Sequence, residues 1–138
     1  MSRVPLCVSD YMTRDLATIS PDTELAQAVR LMLERDVSGL IVTDADGRVA
    51  GVITERDCIK AAAEAGYYEE WGGPVSKYMS AAVETVGPDD SLIDVAAKMA
   101  VSRHRRYPVV ADGRLVGLLS RRDVLRAIET GSWPTRFA

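Results

Sequence analysis

Histidine occurs once in this 138-residue chain and cysteine twice, so chemistries that need clusters of either have little to draw on. Cys7 and Cys58 form no CxxC pair, and with His104 they fall short of the four ligands of a structural zinc. His104 has no serine or cysteine partner at a recognisable spacing, which argues against a nucleophilic triad. Two reduced thiols fit a cytoplasmic setting. No apolar run approaches the roughly 20 residues of a membrane span. Residues 1–7 lack the continuous apolar stretch of a signal peptide. A positive field is missing too: the net charge of -3 opposes general affinity for nucleic acid or an anionic membrane. Hydrophobic residues make up 47% of the chain, enough to build the core of one compact domain or two very small ones.

What the chain does have is a repeat. Ser9-Asp10-Tyr11-Met12-Thr13 returns 67 residues later as Ser76-Lys77-Tyr78-Met79-Ser80, and Thr18-Ile19-Ser20-Pro21-Asp22 returns as Thr85-Val86-Gly87-Pro88-Asp89. Gly51-Val52-Ile53-Thr54-Glu55-Arg56-Asp57 returns as Gly117-Leu118-Leu119-Ser120-Arg121-Arg122-Asp123, now at an offset of 66. The missing residue falls at a turn, where Asp44-Ala45-Asp46-Gly47 is matched by Ala111-Asp112-Gly113. A hairpin tip is where a shared fold tolerates a deletion.

Each copy reads as strand, helix, hairpin, helix. Leu25, Ala28, Val29, Met32 and Leu33 are spaced as one apolar helical stripe, echoed by Leu92, Val95, Ala96, Met99 and Ala100. Pro21 and Pro88 end the preceding extended segments, and Thr23 and Asp90, or an immediate neighbour, are placed to cap the helices. Apolar runs flank Asp46-Gly47 and Asp112-Gly113, a hairpin signature. Second helices follow at about Glu55 to Ala65 and about Arg121 to Glu129, with so little polar face that burial between repeats or between subunits is expected. The repeats run over 8–65 and 75–130, with a linker at 66–74 and a tail at 131–138. The linker's Tyr67, Tyr68 and Trp71 are expected to pack on the body, and the tail carries Trp133 and Phe137.

The motif Gly-h-h-(Thr/Ser)-x-x-Asp, where h is apolar, accounts for itself in part as a capping box. Capping leaves Gly51 and Gly117 unexplained, since glycine inside a strand marks a place where something approaches the backbone closely. A hydroxyl, a carboxylate and free amides at a helix N-terminus suit a ribose diol and a nearby anion. Asp57 and Asp123 as a catalytic carboxylate dyad would lack any reacting-group machinery around them.

With these motifs twice in order, both copies resemble CBS domains and the pair resembles a Bateman module, from about Val8 to Ala127. The carrying features are Met12-Thr13 and Met79-Ser80, the Pro-Asp steps before the first helices, Tyr107-Pro108-Val109-Val110 and the two glycine motifs. The resemblance implies an α+β fold, two β-α-β-β-α repeats around a pseudo-twofold axis, that senses an adenine nucleotide and catalyses nothing. It implies that Asp57 and Thr54 in one site, and Asp123 and Ser120 in the other, meet the ribose or its phosphate. Adenine would lie against Thr18, Ile19, Leu40 and Ile41, or against Thr85, Val86, Tyr107 and Pro108. Arg56 and Arg122, one residue ahead of each Asp, are counted with the nucleotide contacts. Arg105 and Arg106 match family positions that reach phosphates, whereas the first copy has Ser38 and Gly39 there. That asymmetry favours Asp123 over Asp57 as the more important ribose partner.

The expected ligand is AMP, ADP or ATP, with S-adenosylmethionine as the alternative and no cofactor required. A homodimer is expected, signalling to an effector protein that the sequence does not name. The rival readings are a structural dimerisation module with empty sites, and a nucleic-acid binder using Arg103 to Arg106 with Arg121 and Arg122. The acidic total weighs against the latter.

Overall fold

Leu25, Ala28 and Met32 form the buried stripe of α1 (Leu25–Arg35) in the computed structural model, which describes residues 6–68, 72–130 and 133. Leu33, expected in that stripe, is 77% exposed. At 100° per residue it lies about 80° round the helix from Leu25, at the edge of the face the core covers. The helix ends at Asp36, whose left-handed backbone (φ 53°) turns its amide onto the carbonyls of Met32 and Leu33. The equivalent helix α3 (Leu92–Val101) buries Leu92, Val95 and Met99. Its cap is Ser91, which accepts from the Asp94 amide at 3.3 Å, while its neighbour Asp90 accepts from the Gly87 amide. At α1 the capping position is Glu24 without a side-chain bond, and the Thr23 hydroxyl accepts instead from the Ser20 amide.

The hairpins form where Asp-Gly placed them. β2 (Gly39–Thr43) pairs antiparallel with β3 (Val49–Thr54), and β4 (Arg106–Ala111) with β5 (Arg114–Ser120). The second turn is the two residues Asp112 and Gly113, both at positive φ (51° and 79°), the backbone that matches strand twist. The first is one residue longer, with Gly47 at φ 80° and the Asp44 carboxylate accepting from the amides of Asp46 and Arg48. The one-residue difference between the copies is thus a change of turn type. β1 (Thr18–Ile19) adds to β2 in parallel, with Thr18 beside Ile41 and Ile19 beside Val42. In the other copy the matching segment makes a single parallel bridge, Val86 to Val109.

The second helices are α2 (Glu55–Tyr68) and α4 (Arg121–Glu129). Cys58 and Ala61 are buried on the first, Val124 and Ala127 on the second. Each nevertheless leaves a large aliphatic side chain open in the single chain, Ile59 at 67% and Leu125 at 60% exposure. The linker aromatics expected to pack on the body lie outside the residues whose side chains are described, as does Phe137. Trp133 packs against the core that contains Val8, Leu92 and Tyr107.

The chain divides into two compact units, and they exchange their leading segments. One unit is Ala17–Val83; the other joins Met1–Leu16 to Glu84–Ala138. In the latter, Val8 is fully buried among residues of the second repeat, its amide donates to the Asp90 carbonyl, and Thr13 bonds Leu118 both ways at 2.9 Å. In the former, fully buried Val75 donates to the Thr23 carbonyl, and Ser80 exchanges bonds with Val52. Each Ser-x-Tyr-Met segment therefore completes the body of the other sequence repeat.

That exchange explains the two strand glycines. A Cβ on Gly51 would stand 2.7 Å from both the Met79 sulfur and the Ser80 carbonyl oxygen. One on Gly117 would stand 2.5 Å from the Met12 sulfur and 3.2 Å from the Thr13 carbonyl oxygen. Something does approach the backbone closely there, and it is the chain's own crossing segment rather than a ligand.

Candidate functional site

In the unit Ala17–Val83 the strand alternation sorts the expected site residues into two sets. Ile19, Leu40, Val42 and Ile53 belong to the unit's core. Thr18, Ile41, Val52 and Thr54 occupy the opposite face of the sheet, with Thr18 and Val52 on either side of Ile41 in register. On that face Thr18 is exposed and Thr54 half-buried, whereas Ile41 between the strands is buried at 5% exposure, so a ligand there would meet Thr18 and Thr54 first, and Ile19 and Leu40 through backbone alone. The second repeat sorts the same way. Val86, Tyr107 and Val109 are core, while Arg106, Pro108, Leu118 and Ser120 share the other face. Thr85 is exposed. Arg106 lies directly opposite Ser120 in register, where the first repeat has Gly39 opposite Thr54.

The motif's hydroxyl and carboxylate sit where each sheet runs into its second helix. Thr54 closes β3, and the Asp57 Oδ2 accepts from both its amide and its hydroxyl at 2.9 Å. The Asp57 amide donates back to the Thr54 hydroxyl at 3.2 Å. Asp57 is half-buried, and its Oδ1 takes no partner among the described residues. Arg56 is exposed on the first turn of α2. The arrangement offers a charged acceptor beside a hydroxyl at a helix start, which is what two vicinal ligand hydroxyls require.

Ser120 and Asp123 repeat the capping box, with Ser120 N–H and Oγ–H donating to Asp123 Oδ2 at 2.9 and 3.1 Å. Here the resemblance between the copies stops. Asp123 is fully buried, the Thr13 hydroxyl donates to both its oxygens at 3.2 and 3.4 Å, and the Arg126 guanidinium closes on Oδ1. Neither Arg126 nor Thr13 is among the expected site residues, although Met12-Thr13 is one of the repeated features. The i, i+3 spacing of Asp123 and Arg126 was a legible signal for the first; for the second only the crossing of the N-terminal segment brings the groups together. Arg122 is exposed beside them.

The basic run follows α3. Arg105 is exposed, Arg106 is half-buried at the start of β4, and the Arg105 carbonyl accepts from the Arg121 amide at 3.0 Å. His104 is engaged at the surface, 3.3 Å from the Glu84 carboxylate and with its ring 5.3 Å from that of Tyr107. Lys98 pairs with the same Glu84 at 2.7 Å. Their hydrogen bond holds the Glu84 carboxyl below its ordinary range and the Lys98 ammonium above its own. Burial, and then the neighbouring Asp57 charge, push the Cys58 thiol up, away from nucleophilic use. Among the described residues no cluster of histidine, cysteine and carboxylates could hold a metal, and no helix is long and apolar enough to cross a membrane.

A family model described as CBS domain matches residues 8–64 and again 75–130. An uncharacterised 17.7 kDa protein of Acidianus ambivalens is 34% identical over 88% of this chain and 72% of its own length. Among solved structures, CBSX2 in complex with AMP superimposes with a TM-score of 0.83 at 31% identity, covering 93% of this chain and 99% of that one. The CBS domain pair of protein MJ0100 in complex with 5'-methylthioadenosine and S-adenosylmethionine gives a TM-score of 0.75 at 25% identity, covering 88% and 98%. Some curated relatives are much longer: the chain spans 22% of inosine-5'-monophosphate dehydrogenase from Methanocaldococcus jannaschii, to which it is 30% identical.

Proposed function

The chain belongs to the CBS-domain family, carrying the domain twice, and on that premise we propose that it is a regulatory module that binds an adenine nucleotide and makes or breaks no bond. The observation that carries the reading is the Thr54–Asp57 pair. It presents a half-buried carboxylate with one oxygen engaged by its own motif and the other turned to no partner among the described residues. Beside it stands the sheet face that carries the exposed Thr18 next to the buried Ile41, a polar edge against an apolar floor that suits a planar base. AMP bound to CBSX2 supports a mononucleotide. The ligands of the MJ0100 pair support S-adenosylmethionine as the second reading. ADP and ATP share the same ribose and base.

Signalling then runs through another surface. The exposed Ile59 and Leu125 on the second helices support association of two copies, with an effector protein as the further partner. Thermal unfolding with AMP, ADP, ATP or S-adenosylmethionine, against GMP as control, tests the proposal. At least one adenosine ligand should raise the midpoint, since a ligand at 100 times its Kd stabilises by about 2.7 kcal/mol. Phosphate release from ATP should stay at the level of buffer. A folded protein that none of the four stabilises would contradict the proposal and favour a structural dimerisation module.

A further inference from the structure

The two copies of the ribose-binding motif are chemically alike in sequence and unlike in space. At Asp57 the carboxylate is half-buried and keeps an oxygen without a partner among the described residues. At Asp123 both oxygens are taken and the residue is fully buried. Two substitutions separate the sites. Arg126, which caps the Asp123 carboxylate, is matched by Lys60, which forms no ion pair with Asp57 among the described residues. Thr13, which donates to Asp123 across 110 positions of sequence, is matched by Ser80, whose hydroxyl does not reach Asp57. A guanidinium fork holds a carboxylate in a fixed geometry that a lysine ammonium does not.

We infer that the duplicated aspartate has divided its labour: Asp123 is an internal latch that fastens the N-terminal segment to α4, and Asp57 alone is available to a ribose diol, so that the chain takes up one adenine nucleotide rather than two. Asp123 ties together two stretches distant in sequence: Thr13 on one side, and on the other the first turns of α4, with Ser120 at its head and Arg126 one turn beyond Asp123. A second tie runs alongside it, the Tyr11 hydroxyl lying 2.8 Å from that of Thr130. To bind a ribose, Asp123 would give up charge-assisted bonds that already satisfy it in a buried setting, and leave Arg126 and Thr13 to find other partners. Asp57 gives up nothing. The arginines ahead of β4 had favoured the second site; the state of the carboxylates reverses that order.

The inference rests on the nucleotide-binding reading above, and its test separates the two. AMP is titrated calorimetrically into wild type, Asp57→Asn and Asp123→Asn, and each unfolding midpoint is measured without ligand. Wild type should saturate at about one AMP per chain. Asp57→Asn should weaken AMP by about tenfold or more, as expected for a lost charged acceptor, with little change in midpoint. Asp123→Asn should lower the midpoint and hold AMP with an affinity within about twofold of wild type. Should Asp123→Asn fail to fold, Arg126→Gln replaces it, with a lowered midpoint and unchanged AMP affinity expected. Two AMP per wild-type chain would overturn the inference, as would a folded Asp123 or Arg126 variant that loses AMP while Asp57→Asn keeps it. If wild type binds no AMP, the functional reading is what fails. The latch is then decided by the midpoints alone, and equal midpoints for the two Asn variants would overturn it.

Discussion

Gly51 and Gly117 show how one residue type at matching positions can carry different weights. Both lie in a strand because a crossing segment passes over them. The obstacle at Gly51 includes a backbone carbonyl, Ser80 O, at 2.7 Å from where a Cβ would stand, and backbone held by two hydrogen bonds to Val52 cannot move aside cheaply. At Gly117 the tight contact is the Met12 sulfur, on a side chain with rotamers to spare, and the backbone oxygen stands at 3.2 Å. Gly51→Ala should therefore cost about 1–3 kcal/mol, the range for overpacking, and Gly117→Ala distinctly less. Denaturant titration of the two variants checks the order. Equal losses, or a larger one at Gly117, would show that the crossing segments yield alike. The same positions show how sequence logic can be sound yet misdirected: the close approach was legible, and the approaching group was not.

At the scale of elements, most of the secondary structure was legible because it depends on neighbours in sequence. The 3.6-residue spacing of Leu25, Ala28 and Met32, and the Asp-Gly turns with their one-residue difference, carry their own physical signal. The exchange of leading segments was not legible, for a reason built into duplication. Val8 and Val75 meet equivalent partners, and the Asp90 and Thr23 carbonyls that accept their amides sit at matching positions. A leading segment would find the same bonds on either body, so no local preference marks the choice. The consequence is measurable. Val75 falls in the second sequence repeat but is buried in the core with Leu25, Ile53 and Cys58. Val75→Ala, expected to cost about 1–3 kcal/mol as a buried truncation, should speed amide hydrogen exchange in α1, β3 and α2 and spare α3 and α4. Faster exchange confined to α3 and α4 would place Val75 with its sequence neighbours instead.

In the proposed function the whole molecule carries two kinds of information, one for a ligand and one for a partner. The motif showed that Asp57 and Asp123 were candidates for the first, but it could not show that one of them is spent on holding the fold. That depends on Thr13 arriving from the far end of the chain. For the second, the apolar character of α2 and α4 was plain in sequence, and Ile59 and Leu125 stay open in the single chain. Two such side chains on helices that also bury an apolar stripe fit an isologous contact between two copies. Light scattering should give about twice the chain mass of 15.0 kDa, and Leu125→Arg should shift the population toward monomer. A monomer at every concentration, with and without nucleotide, would contradict this.

An adenine nucleotide on the sheet face beside Asp57, the proposed site, can be followed residue by residue. The chain has six isoleucines, which makes its isoleucine methyl spectrum a direct probe. Ile41, itself buried, points to that face between Thr18 and Val52, while Ile53 lies in the core on the other side of the same sheet. Titration with AMP should move the Ile41 methyl resonance progressively to saturation and leave that of Ile53 nearly in place. An Ile41 resonance that stays fixed under AMP concentrations that saturate the calorimetric signal would contradict binding on that face.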